Sequence, residues 1–393
     1  SYYFYSITKN TMPFTSLCQT RRTTLRQLAW GGFALSATPA FSQTGKAGAV
    51  VAGATVVQIV DTSPTQIDVS KDFLVGSRAA WQDLNARGGL RGKPVRHLVL
   101  EVDGSPKALR GVADALKAMP ECVAAVGTVG DKTAGQLAAI LRREMPELAH
   151  VAPWLHNPGD GSDNTFGIFA TRQEQIAYAI KSLAVMGVQH VGAVYASPLE
   201  MALYREDMDR AAAELQLKLH TYSPSTSLDK LAGTLNAQSP RILIFLGGTP
   251  ELAQFAQGIE KQAAQRYLVA MSDVNVVALQ QLGVSRFSPV ISTQSVPPVN
   301  SNLPLVRAYR DVMGRLYDEP PTAQSLAGFI SARYCAEVLQ GVEGNITRNN
   351  AMLAFSKRNA IDLAGLRLNP DTRKRTSVLV TQSMLGADGK IVG

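Results

Sequence analysis

Cysteine is scarce, with three in 393 residues, so a scaffold built on disulfides is excluded. Charged residues make up only 18% of the chain, and the 32 glycines and 20 prolines are close to ordinary usage, which excludes a coiled coil or a low-complexity chain. No run reaches the roughly 18 apolar residues that mark a bilayer crossing, so no stable membrane insertion is expected. The signatures of common catalysis are missing too. The chain past its leader holds no G-x-G-x-x-G, Walker A loop, H-E-x-x-H, C-x-x-C or G-x-S-x-G pattern. His97, His150, His156, His190 and His220 share no metal-ligand spacing, and neither a metal nor a cofactor is expected. Ser227, Leu228, Asp229 and Lys230 fit S-x-x-K, but the companion S-D-N and K-T-G motifs are absent, and Ser227 reads as a helix cap.

What is present is a large hydrophobic share, 46%, enough for a sizeable core. The excess of 39 Lys and Arg over 31 Asp and Glu raises nucleic acid as a partner, until the charge is located. Half of the excess lies in residues 1–42, which contain Lys9, Arg21, Arg22 and Arg26 and no acid. This leader reads as an export signal: a basic stretch, the apolar run LAWGGFALSA at 28–37, and small residues at Ala40 and Ser42, with cleavage expected after Ser42. Arg21 and Arg22 leave the general secretory and twin-arginine routes both open, and residues 1–11 read as an over-extended start. Arg373, Lys374 and Arg375 lack interleaved aromatics and read as a solvated hairpin turn, so nucleic acid is not expected as a partner.

From residue 55 onward short apolar runs alternate with amphipathic stretches, the rhythm of βαβ units in a mostly parallel sheet. Strands are expected at 55–60, 95–102, 122–126 and 149–152, with Gly88 and Gly89 ending the first helix and Ser105 and Pro106 opening the second. A second series follows, with helices at 173–186, 201–215, 228–237 and 251–262 and strands at 191–195, near 217, 242–246, 267–270 and 290–292. Helices at 303–316, 325–339 and 349–358 come without strands between them, and strands are expected at 366–368 and 377–382. Two α/β series with a helical return imply two lobes joined by several chain crossings. Ligands of open parallel sheets bind beyond the carboxyl ends of the strands. The turns at 61–65, 127–133, 153–157, 196–201, 247–250 and 272–275 are therefore the places to expect a site.

FLVGSRAAWQDLNARGGLRGKPV at 73–95, GTVGDKTAGQLAAILRREMPELAHVAP at 127–153 and GLRLNPDTRKRTSVLVTQSMLGADGKI at 365–391 resemble the type 1 periplasmic binding proteins. The likeness is nearest to the leucine/isoleucine/valine-binding branch that serves ATP-driven transporters. The stretch LNARGGLRGKPV is its most specific part, and the likeness spans about residues 54–391. It implies an α/β protein of two Rossmann-like lobes with parallel sheets joined by a three-crossover hinge. Lobe one would be 54–170 with 298–363, lobe two 171–297 with 364–393, and the crossings would fall at 169–172, 292–298 and 364–368. It also implies a monomer, exported to the periplasm, that carries an amino acid or related small polar ligand to an ABC-type membrane permease.

The resemblance carries the ligand grip onto Asp131, Lys132, Thr133, Trp154, Leu155, His156, Glu200, Thr249 and Asp273. Several of these depart from the family's pattern. Asp131 stands where a Ser or Thr would hold a ligand carboxylate, and Lys132 is a candidate to neutralise it. Leu155 or His156 replaces a small or hydroxylated residue, and Glu200 with Met201 replaces an aromatic and a glycine. Each position has a second reading: Asp131 and Asp273 as helix caps, His156 as an exposed loop residue, Trp154 as packing beneath its loop. Cys122 and Cys335 are expected as buried free thiols, although export permits a bridge. A non-enzymatic solute receptor is the leading function. A sensory module of the same fold stands second, and an enzyme using Asp131, Glu200 and Asp273 for acid/base work third.

Overall fold

Eight consecutive buried residues form β1 (Ala54–Asp61), the strand on which the first sheet is built. The computed structural model describes residues 53–154, 163–260, 262, 264–286, 288–370 and 378–393, so the leader lies outside the described residues. After β1 come α1 (Ile67–Ala86), β2 (Val95–Val102), α2 (Pro106–Lys117), β3 (Cys122–Val126), α3 (Asp131–Glu144), β4 (Ala149–Val151) and β5 (Thr165–Phe166). The strands pair in parallel in the order β2-β1-β3-β4-β5. The expected punctuation is in place: the Ser105 hydroxyl accepts from the Ala108 N–H at 3.2 Å with Pro106 in the first turn. Gly88 and Gly89 take the positive φ that ends α1, and the Gly89 N–H reaches back to the Leu84 carbonyl at 2.9 Å.

The chain crosses into α4 (Arg172–Val185), whose start carries a full capping box between Thr171 and Glu174. It continues through β6 (His190–Tyr195), α5 (Pro198–Glu214), β7 (Lys218–Tyr222), α6 (Leu228–Gly233), β8 (Ile242–Leu246), α7 (Thr249–Ile259), β9 (Tyr267–Ala270), α8 (Val276–Gln281) and β10 (Val290–Gln294). It then returns through α9 (Pro304–Leu316), α10 (Ala323–Gln340), α11 (Arg348–Ser356) and the hairpin of β11 (Ile361–Leu363) and β12 (Leu366–Leu368), and ends with β13 (Thr381–Leu385) and β14 (Ile391–Val392). The second sheet runs β14-β13-β10-β9-β8-β6-β7, parallel from β7 to β10 and antiparallel beyond.

The helical return packs on the first sheet, where Tyr309, Phe329, Tyr334 and Phe355 share one core with Val56, Phe73 and Trp154. Contact between α1 and α10 is close because glycines face it. A Cβ on Gly328 would sit 1.9 Å from the Phe73 carbonyl oxygen, and one on Gly76 would sit 1.7 Å from that of Ser325. The Ser77 hydroxyl donates across the seam to the Gly328 carbonyl at 3.2 Å.

The tail differs from expectation. β12 pairs with β11, and the next strand begins at Thr381 and pairs with β10, so the two tail strands do not face one another as a hairpin. The expected basic turn at Arg373, Lys374 and Arg375 lies outside the described residues. The helix expected over 228–237 ends at Gly233, with Ser227 at its cap position but its hydroxyl turned to Asp229 at 2.7 Å. Cys122 and Cys335 are buried free thiols, as expected. Among the described residues no helix is long and apolar enough to cross a membrane.

Candidate functional site

The turn after β3 is set by glycine. Gly127 and Gly130 adopt φ of 66° and 94°, and a Cβ on Gly127 would press within 2.8 Å of the Phe73 ring. This turn delivers α3 with Gly130 at its cap position and Asp131 as its first helical residue, so Asp131 does not cap the helix. Its carboxylate instead accepts a hydrogen bond from the Tyr204 hydroxyl at 3.0 Å. Tyr204 is on α5, so this bond joins the first lobe to the second.

Behind Tyr204 lies Arg172, in the first turn of α4 and only 2% exposed. Its Nη2 donates to Asp273 Oδ2 at 2.8 Å, and its guanidinium carbon stands 5.0 Å from the centre of the Tyr204 ring. Burial alone would lower the Arg172 pKa. The facing charges of Asp273, Glu200 and Asp131 outweigh it and hold the guanidinium firmly protonated. Burial likewise pushes the carboxyls of Asp273 and Glu200 upward, opposed by Arg172 and reinforced by their neighbouring acids. Glu251, in the first turn of α7, is raised for the same reasons, with Asp273 and Asp68 as its acidic neighbours. Asp131, Glu200, Glu251 and Asp273 follow the carboxyl ends of β3, β6, β8 and β9, where a parallel sheet presents its ligand-facing loops.

The cluster is not fully satisfied. Arg172 Nε and Nη1, Asp273 Oδ1 and Glu200 Oε2 are sealed from solvent without a hydrogen-bond partner. Asp273 does not cap the next helix; that role belongs to Asn275, whose side chain accepts from the Val277 and Ala278 N–H groups at 3.1 Å and donates to Asp72 at 3.0 Å. Gln324 of α10 also holds the 272–275 loop, donating to the Ser272 and Val274 carbonyls at 3.1 and 3.2 Å. Beside this second interlobe contact a cavity of about 240 Å³ is lined by Asp68, Lys71, Asp72, Asn275, Glu319 and Thr322, among others.

The structure therefore gathers Asp131, Glu200 and Asp273 into one cluster. The cation among them is Arg172, while Lys132, the expected neutralising partner, is exposed. Thr133 turns inward and its hydroxyl donates to Asp61, joining α3 to the end of β1. Thr249 is buried and accepts from the Asn275 N–H at 2.9 Å. Trp154 packs into the core with Phe169 at 4.9 Å and Phe73 at 5.9 Å between ring centres. Leu155 and His156 lie outside the described residues. Arg172 and Tyr204 were not marked by motif. One local signal was available for Arg172, a cation in the first turn of a helix, where the backbone dipole opposes it.

Two α/β lobes whose strand-end loops meet over a cluster of charged side chains define a cleft-binding protein. The chain belongs to the periplasmic binding protein family, whose model matches residues 57–385, and it has the two-lobed type 1 fold. A comparison with curated proteins finds no match. Among solved structures it is similar to an extracellular ligand-binding receptor from Verminephrobacter eiseniae, at 16% identity and a TM-score of 0.78, covering 87% of this chain and 100% of that one. It is also similar to a branched-chain amino acid transporter substrate-binding protein from Streptococcus pneumoniae solved with isoleucine, at 13% identity and a TM-score of 0.72, covering 86% and 97%. A third is a solute-binding protein of an ABC transporter from R. palustris solved with benzoate, at 12% identity and a TM-score of 0.71, covering 86% and 95%. At these identities the likeness establishes the fold, and the family is one of binding proteins rather than enzymes.

Proposed function

We propose that this protein is an exported solute receptor that captures a small polar ligand between its lobes and delivers it to an ABC-type permease. The observation that carries the reading is the charged cluster itself. Asp131 from one lobe and Arg172, Glu200, Tyr204 and Asp273 from the other converge at the strand ends, and part of their hydrogen-bonding capacity is unused. Such capacity buried without partners is costly, and a ligand that supplies the missing partners stabilises the closed form. The solved relatives with isoleucine and with benzoate support a small organic solute as the cargo. The residues we assign to the cleft are Asp131, Glu200 and Asp273, with Arg172 and Tyr204 added. Lobe one comprises 54–170 with 298–363, lobe two 171–297 with 364–393, and the leader at 1–42 directs export and is removed near Ser42. Purification from the periplasm followed by native mass spectrometry tests the reading. A bound small molecule, and a rise in melting temperature when it is added back, are expected. Absence of any bound species, together with no thermal shift from a broad panel of amines, amides, amino acids and organic acids, would overturn it.

A further inference from the structure

Among the described residues, acids outnumber cations in this cluster. The guanidinium of Arg172 faces the carboxylates of Asp273, Glu200 and Asp131, and Glu251 and Asp68 add to the acidic side. Arg172 spends one arm on Asp273 and presents its face to Tyr204, which itself donates to Asp131. The neighbouring interlobe cavity repeats the excess, with Asp68, Asp72 and Glu319 against Lys71. A ligand carboxylate brought here would add a further negative charge to a site already short of positive ones, away from the screening of bulk water.

The unused atoms describe what is missing. Asp273, 7% exposed, leaves Oδ1 open, and Glu200 leaves Oε2 open; both accept hydrogen bonds and both favour a cation. Arg172, 2% exposed, leaves Nε and Nη1 open, and these need an acceptor. A neutral oxygen meets that need without adding charge.

We propose that the cleft selects a cationic amine carrying a neutral oxygen acceptor, as in an amino-acid amide, over a zwitterionic amino acid or a carboxylate anion. The inference rests on the solute-receptor reading and narrows its ligand. The ammonium takes the open oxygens of Asp273 and Glu200, and the carbonyl accepts from Arg172. Charge and hydrogen-bond needs are then met together, while Asp131 stays engaged with Tyr204.

The test is calorimetric titration of the full mature protein with matched series that share a side chain and differ only at the charged end. Leucinamide, leucine and 4-methylpentanoate form one series, and the alanine and phenylalanine counterparts form two more. Within at least one series the amide is expected to bind at least tenfold more tightly than the amino acid, with no binding of the anion. Glu200→Gln keeps the size and hydrogen bonding of the side chain while removing its charge, and it is expected to shrink the preference for the amide. Tighter binding of the amino acid or the anion than of the amide would overturn the inference while leaving the receptor reading standing. So would a co-purified ligand identified as an anion when no series binds. No ligand of any charge, bound or co-purified, would overturn the receptor reading and this inference with it.

Discussion

Arg172 sits where a cation is expensive, buried and at the positive end of a helix, and it is retained by the acids around it. Replacing it by Met removes the guanidinium that Asp273, Glu200 and Asp131 share. Arg172→Met is expected to cost about 3–5 kcal/mol at neutral pH, the range for breaking a buried ion pair, read by urea unfolding. Asp273→Asn should cost less, because Asn still accepts from Arg172 and two other carboxylates remain near the guanidinium. Equal losses from the two variants would mean that Arg172 answers to Asp273 alone. Glu200 gives a pH-dependent readout. Its pKa in the fold lies above the ordinary value of 4.5, mainly through burial, so the folded state binds its proton more tightly than the unfolded chain. Its contribution is therefore favourable at acid pH and is lost as pH rises through the folded value. Unliganded Glu200→Gln is expected to melt above the parent protein at pH 8, with the gap closing as the pH falls toward 4.5. A gap that is constant with pH would assign the effect to packing.

At the scale of elements, periodicity and punctuation located most strands and helices to within a few residues. β2, β3, β8, β9 and β12 fall on the expected bounds, because short β-rich runs between turn residues admit little else. What local pattern missed was partnership. The strand at 366–368 looked like half of a hairpin with the next tail strand, yet its register partner is β11, and nothing in three residues specifies a neighbour. The seam between α1 and α10 is a similar case. Gly76 and Gly328 lie inside long helices, where glycine is locally unfavourable, and only the close approach of the two helices explains them. Gly328→Ala is expected to destabilise the protein by about 1–3 kcal/mol, the cost of overpacking, rather than to stabilise the helix by the usual preference for Ala. Chemical denaturation of this single variant decides the sign.

For the whole molecule, the hydrogen bond from Tyr204 to Asp131 links the two lobes. A bond to a carboxylate in a partly buried setting is worth about 1.5–3 kcal/mol. Tyr204→Phe is expected to shift the unliganded population toward open forms, seen as a larger radius of gyration in small-angle scattering and restored by ligand. A double-mutant cycle with Asp131→Ala should give a coupling energy above about 0.5 kcal/mol, as residues in contact do. Strict additivity would show that the bond does not hold the lobes together.

The sequence by itself determined the class of fold and the alternation of strands and helices, because periodicity, caps and glycines act over a few residues. It also marked Asp131, Glu200 and Asp273. Only the tertiary structure decided that these three share one cluster, that Arg172 rather than Lys132 is the cation among them, and that Tyr204 closes the gap between lobes. It also turned Thr133, Trp154 and Thr249 to structural contacts. Charge balance in a buried site depends on distances between residues tens to more than a hundred positions apart in the chain, and no local pattern encodes those distances.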